Sequence, residues 1–393
     1  MSEAERGTVL LDVTRLLWRR WRGGLPTGVD RVCLAYVAHY GPGARAVIQR
    51  KGFKLVLSRR SSQRLFDLLS AGGPGFRSNL IGLLMAASPA LLDSRPPRGA
   101  LYLNVGHTGL DEPALPAWIA RHRLRAIYLI HDLIPITHPQ FCRAGEDRKH
   151  ERRMRNALVS GAGLIANSQD TANEMRRLAD RLGLAMPPTV VAWLSGDALH
   201  RLPAPAPAGR PYFVVLGTIE ARKNHQLLLR VWTELLRRLG PETPRLIIVG
   251  TRGWEADDVL AQLDALGRLQ PYVEERSRCS DDELGELLAG ARALLMPSFA
   301  EGYGLPVFEA LELGTPVIAA NLAVYREIAG DIPCYLPPDD PDAWANAVIA
   351  FVADGPDRSA QLDRMRGFTV PDWAAHFAKV DQWLDGLPDP ATS

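Results

Sequence analysis

The chain has 393 residues and only four cysteines, and no two of them form a C-x-x-C pair. This scarcity argues against a zinc site and against thioredoxin-like redox chemistry. Free thiols in a reducing compartment are the simplest interpretation, so we expect a cytoplasmic protein. The four cysteines are Cys33, Cys142, Cys279 and Cys334.

Long apolar runs and an excess of one charge are also missing. No uninterrupted apolar stretch reaches the roughly 18–20 residues that a membrane-spanning helix needs. Glu3, Glu5 and Arg6 precede any apolar run, which is the wrong order for a secretory signal. Lys and Arg total 46 against 44 Asp and Glu. No overall electrostatic field therefore draws the protein to nucleic acid, and we expect no nucleic-acid partner.

Short apolar runs alternate with helical patterns along the whole chain, which predicts a doubly wound α/β fold with parallel sheets. The helical patterns include His225–Leu239, Asp281–Gly290 and Leu305–Leu313. The predicted strands are Val9–Val13, Leu101–Val105, Ala126–Ile130, Gly163–Ala166, Val190–Trp193, Tyr212–Leu216, Leu246–Val249, Ala293–Met296 and Val317–Ala319.

A proline-rich segment divides this pattern into two halves. Residues 203–211 contain prolines at 203, 205, 207 and 211, which is typical of a stiff linker. We therefore expect two Rossmann-like domains facing each other across a cleft. Residues 1–202 would form the acceptor domain and residues 212–370 the nucleotide-sugar domain. A last helix, within residues 371–393, has one apolar face and is expected to pack back on the first domain.

The segment Glu301–Glu309 follows a predicted strand and opens a helix with Pro306. Gly302 and Gly304 let the backbone approach a ligand, and free N–H groups at a helix start favour an anion such as a diphosphate. Two carboxylates flank this place, with Glu309 expected in the first helical turn. They could accept hydrogen bonds from sugar hydroxyls. The alternative is that Glu301 is a capping acid and Glu309 a solvated helix residue.

A second motif, Gly217–Asn224, lies between the predicted strand Tyr212–Leu216 and the next helix. Arg222 and Lys223 in this loop could neutralise a diphosphate leaving group. The alternative is a solvated basic turn.

These stretches, GTIEARKN, LIIVGTRGW and DDELGELLAGARALLMPSFAEGYGLPVFEALELGTPVIAANLAVYREIAG, resemble the retaining family-four glycosyltransferases of GT-B fold. The subgroup that they resemble builds bacterial O-antigen, capsule or exopolysaccharide, with mannosyl- and rhamnosyltransferases foremost. The resemblance implies a nucleotide-sugar donor, first of all GDP-mannose. It also implies a glycan or polyprenyl-diphosphate-linked acceptor.

By the same resemblance, Glu301 contacts the donor sugar, Glu309 the ribose, and Arg222 and Lys223 the diphosphate. Many relatives carry Arg directly after the glycine that ends the strand, where this chain has Thr218. The expected donor-binding set is Gly28, Arg222, Lys223, Glu301, Gly302, Tyr303, Gly304, Leu305 and Glu309. Trp254 could pack beside the base or cover the core.

The first half offers two further candidates. Gly28 and Arg31 open a helix after the first strand, and the family has a similar glycine loop. Arg31 could face a phosphate or form a structural ion pair. His131 and Asp132 follow the strand Ala126–Ile130, and the resemblance puts His131 near the reacting carbon. Asp132 would orient it or meet the acceptor.

The segment Leu16–Arg22 mixes tryptophan and arginine, which suits either an anionic membrane surface or an ordinary solvated loop. We expect peripheral contact with the inner membrane at most. No acidic cluster of the D-x-D kind sits at a strand end in the expected place. Asp339 and Asp340 lie in a proline-rich loop near the end of the second domain, so we expect no metal and no cofactor.

The expected reaction is metal-independent transfer with retention, by attack on the same face that the nucleotide leaves. Glu301, His131, Lys223 and Arg222 would carry it. Two alternatives are open. A nucleotide-sugar 2-epimerase would share the architecture, and a non-catalytic nucleotide-sugar-binding partner would share the pocket.

Overall fold

The computed structural model describes residues 8–23, 27–73, 75–85, 95–196, 209–253 and 256–388. Most of the predicted linker and Trp254 lie outside these residues, as do Glu3, Glu5 and Arg6. The chain divides into two compact units. The first contains Met1–Ile136, Asp147–Leu194 and Trp373–Ser393, and the second Thr137–Glu146 and Ser195–Asp372.

The first unit is built on a sheet with the strand order β3-β2-β1-β4-β5-β6-β7. All neighbours pair in parallel except β2 and β3, which form an antiparallel hairpin at one edge. The strands are β1 (Val9–Asp12), β2 (Arg45–Arg50), β3 (Phe53–Val56), β4 (Leu101–Asn104), β5 (Arg125–Ile130), β6 (Gly163–Ala166) and β7 (Thr189–Val191). The helices are α1 (Thr14–Trp21), α2 (Gly28–Tyr40), α3 (Arg59–Ala71), α4 (Phe76–Met85), α5 (Leu115–His122), α6 (Ile134–Thr137), α7 (Glu146–Ser160) and α8 (Gln169–Leu182).

The second unit has an all-parallel sheet with the order β10-β9-β8-β11-β12-β13. Its strands are β8 (Tyr212–Leu216), β9 (Arg245–Val249), β10 (Val273–Arg276), β11 (Leu294–Met296), β12 (Val317–Ala320) and β13 (Cys334–Leu336). Its helices are α9 (His225–Leu239), α10 (Asp257–Asp264), α11 (Asp281–Gly290), α12 (Leu305–Glu312), α13 (Ala323–Ala329), α14 (Pro341–Val352) and α15 (Pro356–Met365).

The last helix, α16 (Trp373–Asp385), packs within the first unit. The hydroxyl of Tyr36 on α2 lies 3.0 Å from Nε2 of His376. The ring of Phe377 stacks on His39 with centroids 4.0 Å apart. On the sheet side, the Trp383 ring fills the space next to Gly163, where a Cβ would lie 2.5 Å from Cη2.

The predicted α/β fold is confirmed, and each predicted strand is present. Four strands were not predicted: β2, β3, β10 and β13. Their sequences RAVIQR, FKLV, VEER and CYL are short or carry charged residues. Three of them, β3, β10 and β13, are edge strands. An edge strand pairs with only one neighbouring strand, so it needs no continuous apolar run.

Candidate functional site

The loop after β8 is held at the carboxyl end of the second sheet. Gly217 has φ +137°, and Asn224 has the left-handed φ of +56° just before α9. The Asn224 amide donates to the carbonyls of Pro297 at 3.1 Å and Pro338 at 2.8 Å. One side chain thereby ties this loop to the loops that follow β11 and β13.

Glu301 is the centre of a buried ion cluster. Its Oε1 accepts from Lys223 Nζ and from Ser298 Oγ, each at 2.6 Å, and its Oε2 lies 2.9 Å from Arg222 Nη1. Burial acts to raise the Glu301 pKa. Arg222, Lys223 and the hydrogen bonds outweigh it and lower the pKa to about 2. Glu301 is therefore ionised at neutral pH.

The two basic residues are themselves held in place. Arg222 donates to Oε1 of Glu220 at 2.7 Å and to the Ala300 carbonyl at 2.6 Å. Burial lowers the pKa of Lys223 even though Glu301 attracts its proton. Two cations, each already paired with a carboxylate, thus sit where water is scarce. Solvent would screen their attraction for an added anion only weakly.

The start of α12 lies beside this cluster. Gly304 has φ +100°, and a Cβ there would lie 2.6 Å from Tyr325 Cε1, so the position requires glycine. Gly302 does not adopt a positive φ. Burial and the charge of Glu301 raise the pKa of Tyr325, a residue that the sequence did not single out.

The structure corrects the expected place of Glu309. Because α12 begins at Leu305, Glu309 lies in the second turn, and it is buried. Tyr303 is also buried, with its ring 5.5 Å from that of Phe308. Leu305 is half-buried at the helix start.

In the first unit, Gly28 is the first residue of α2, and Thr27 caps the helix in a reciprocal capping box with Asp30. Asp30 is buried and accepts from Arg15 Nε at 2.8 Å and Arg19 Nε at 3.1 Å. Arg15 was not singled out from the sequence, and Arg19 only as part of the basic segment Leu16–Arg22. Arg31 is half-buried on α2.

His131 is buried behind β5. Its Nε2 lies 2.7 Å from the Val105 carbonyl, so Nε2 carries the proton and Nδ1 is the acceptor. Burial lowers the pKa of His131 to about 4, which makes it neutral at physiological pH. His107, with φ +59°, and His150 complete a histidine cluster with ring centroids 5.0 Å and 5.7 Å apart.

Asp132 plays a local structural part next to that cluster. Its Oδ1 accepts from the N–H of Ile134 at 3.1 Å, and its carbonyl lies 3.0 Å from Nε2 of His150. The side chain is half-buried.

No described helix is long and apolar enough to cross a membrane. Among the described residues, no group of three or more His, Cys, Asp and Glu side chains is placed to hold a metal ion.

Comparison with known proteins relates the chain to one family. Residues 210–354 match the family described as Glycosyl transferases group 1. O-antigen chain mannosyltransferase B of Escherichia coli is 32% identical over 252 residues, which are 61% of this chain and 64% of that protein. The serotype-specific mannosyltransferase WbdA of E. coli is 26% identical over 352 residues, covering 78% of this chain and 41% of WbdA. The chain spans less than two thirds of either relative.

Solved structures resemble the whole chain. The Anabaena protein HepE in complex with UDP-glucose has a TM-score of 0.66 at 16% identity, with 97% of this chain and 100% of that chain covered. Sucrose-phosphate synthase from Thermosynechococcus elongatus has a TM-score of 0.65 at 17% identity, covering 99% and 100%. At these identities the likeness concerns the fold.

Proposed function

Since residues 210–354 are a group 1 glycosyltransferase domain and the two α/β units have the GT-B fold, we propose that this protein is a retaining hexosyltransferase. It moves a hexose, with mannose from GDP-mannose as first choice, to a lipid-linked or polysaccharide acceptor in bacterial surface-glycan synthesis. The names of the two E. coli relatives support the choice of mannose.

The observation that carries the proposal is the ion cluster of Glu301, Arg222 and Lys223. A nucleotide diphosphate gains negative charge as it leaves the sugar, and two fixed, poorly solvated cations stabilise that charge without reorganising. Arg222 and Lys223 would receive the diphosphate, while Glu301 would accept hydrogen bonds from hydroxyls of the donor sugar.

In the proposed mechanism Glu301 is a binding group and not an acid–base catalyst. Its pKa of about 2 leaves it without a proton to donate near neutral pH. The acceptor would attack the face from which the nucleotide departs and lose its proton to the nucleotide phosphate. We propose that the step is metal-independent, with Arg222 and Lys223 as the groups that face the leaving diphosphate.

The other predicted contacts remain predictions from the sequence. The expected acceptor contacts are Arg31 and Asp132, and Glu309 is expected to meet the ribose of the donor. The further donor contacts are expected from Gly28, His131, Gly302, Tyr303, Gly304 and Leu305. A neutral His131, protonated on Nε2, is suited to hold a hydroxyl by its Nδ1 lone pair.

A donor panel tests the proposal. Thermal unfolding is measured with GDP-mannose, GDP-rhamnose, dTDP-rhamnose and UDP-glucose, and one donor at about 100 times its Kd should stabilise the protein by roughly 2.7 kcal/mol. Lys223→Met should abolish that shift, while Lys379→Met, an exposed lysine on α16, should keep it. A donor that is converted without any acceptor would indicate an epimerase, and binding without turnover would indicate a non-catalytic partner.

We also propose that the first unit contacts an anionic membrane surface. Residues 14–85 contain thirteen Lys or Arg and two Asp, Asp30 and Asp67. Arg45 and Lys54 are buried, and the remaining basic residues leave this part of the chain positively charged. On α4 the apolar side chains of Ile81 and Met85 are 46% and 83% exposed, on the same helix as Arg77. Arginines also lie against the tryptophans of α1, with Arg77 5.6 Å from the Trp21 ring.

Vesicle sedimentation tests this contact. The protein should sediment with phosphatidylcholine vesicles that contain phosphatidylglycerol, and not with phosphatidylcholine alone, because the attraction is electrostatic. Met85→Ser should weaken binding, whereas Val159→Ser, an equally apolar side chain that is 59% exposed on α7, should not. Equal binding to both vesicle types would contradict the proposal.

A further inference from the structure

A second concave region of the second unit lies beside the basic loop. It is a cavity of about 640 Å³ at the carboxyl ends of β8, β9, β11 and β13. Sites for small molecules commonly span about 300–1,000 Å³. The described residues that line it do not include Arg222, Lys223 or Glu301. Glu220 does line it and also holds Arg222, so the cavity adjoins the candidate donor site without being part of it.

One wall of the cavity is aromatic. Phe141 and Phe299 line it, and their rings stack at 5.0 Å between centroids and 9° between planes. Both side chains are only half-buried. Half-exposed aromatic faces offer an apolar surface against which the C–H face of a sugar ring can pack.

The charge of the lining excludes a phosphate. Asp257 and Asp258, in the first turn of α10, and Asp339 line the cavity and are exposed, and Arg230 is the basic residue among the described lining residues. Carboxylates repel phosphate groups but accept hydrogen bonds from hydroxyls. Because no described cluster is placed to hold a metal ion either, a neutral, hydroxyl-rich ligand fits best.

The cavity also has a buried polar residue with unused hydrogen-bonding capacity. His225, the first residue of α9, lines the cavity and is 2% exposed. Neither of its ring nitrogens has a hydrogen-bond partner among the residues that the structure describes. Burial, and then Lys223, lower the pKa of His225 to about 4, so the ring is neutral and has one donor and one acceptor. A buried polar group without a hydrogen-bond partner destabilises the folded protein. A sugar hydroxyl can donate a hydrogen bond to one ring nitrogen of His225 or accept one from the other.

We propose that this cavity, the His225 pocket formed by His225, Phe141, Phe299, Asp257, Asp258 and Asp339, binds one neutral hexose unit of a glycan. The aromatic pair packs against the sugar ring and the carboxylates hold its hydroxyls. The choice of glycan rests on the proposed function: the hexose belongs to the acceptor, whose chain would extend beside the donor site.

Calorimetric titration of the full chain with α-mannotetraose, without any nucleotide, tests the pocket. Wild type should bind, and Asp258→Ala and Phe141→Ala should each weaken Kd by about tenfold, the loss expected for one hydrogen bond to a charged group or a comparable packing contact. Asp282→Ala is the matched control, since Asp282 is another exposed acid in the first turn of a helix, here α11. It should bind like wild type.

No wild-type binding, or unchanged Kd in both pocket variants, would overturn the proposal. Should Phe141→Ala perturb folding, the exposed Asp258→Ala decides alone. If the wild type turns over donor but does not bind the oligosaccharide, the proposed His225 pocket is refuted and the proposed glycosyltransferase activity is not. If the wild type binds the oligosaccharide through Asp258 but transfers no sugar, the proposed glycosyltransferase activity is refuted and the proposed His225 pocket is not.

Discussion

Replacing Glu301 by glutamine should destabilise the second unit by an amount that can be worked out from the ion cluster. The Glu301 pKa falls from 4.5 to about 2 in the folded protein. At about 1.4 kcal/mol for each tenfold change in proton affinity, the ionised form favours folding by roughly 3 kcal/mol. Solvent screens little of this, because only 8% of the side chain is exposed.

The pH dependence follows from the direction of the shift. A carboxyl group whose folded pKa is lowered stabilises the protein above its unfolded pKa, here 4.5, and this stabilisation is lost as pH falls toward 2. The stability difference between wild type and Glu301→Gln should therefore be fully present at pH 7. It should shrink progressively below pH 4.5.

Urea denaturation followed by tryptophan fluorescence measures this difference, since Trp232 and Trp344 are fully buried in the second unit. Glu286→Gln is the control, because Glu286 is exposed on α11 and its loss should change stability by about 0.5 kcal/mol or less. Equal stability of Glu301→Gln and wild type at pH 7 would refute the reasoning. So would a difference that does not shrink between pH 4.5 and pH 3.

Two glycine substitutions give further tests. Gly304→Ala should lower stability by about 1–3 kcal/mol, measured by thermal unfolding, because φ is +100° and the new Cβ meets Tyr325 at 2.6 Å. Gly314→Ala is the control, because φ is +81° and the new Cβ would have nothing within 4 Å. It should lower stability by less, and an equal loss of stability would show that the Tyr325 contact is unimportant. Gly163→Ala should loosen α16, since its Cβ would lie 2.5 Å from Trp383 Cη2. Limited proteolysis should then cut α16 faster than in wild type, and unchanged cleavage would contradict this.

Much of the candidate site could be read from the sequence because its residues stand where buried strands end. The run Tyr212–Leu216 is apolar enough to identify a core strand, and this places Arg222 and Lys223 in a loop at a carboxyl end. Gly304 and Pro306 likewise locate the start of α12. Local chemistry sufficed for both, since turn and helix-start preferences act over a few residues.

Pairings between distant residues could not be read in this way. The local sequence does not indicate that Arg15 and Arg19 form ion pairs with Asp30. The arginine next to Asp30 in the sequence is Arg31. No motif in the sequence assigns a role to Ser298, Glu220 or Tyr325. They lie beside the ion cluster only because the fold brings distant segments of the chain together.

The sequence by itself therefore determined the resemblance to the glycosyltransferases, the alternation of strands and helices, and the loops that carry charge. Tertiary structure decided which charges meet and how deeply they are buried. Lys223 and Glu301 are 78 positions apart, yet their side chains approach to 2.6 Å. The physical reason is that apolar periodicity is a property of neighbouring residues in the sequence. The strength of an ion pair depends on the distance between the charges and on their solvent exposure, and both are fixed only when the sheet has formed.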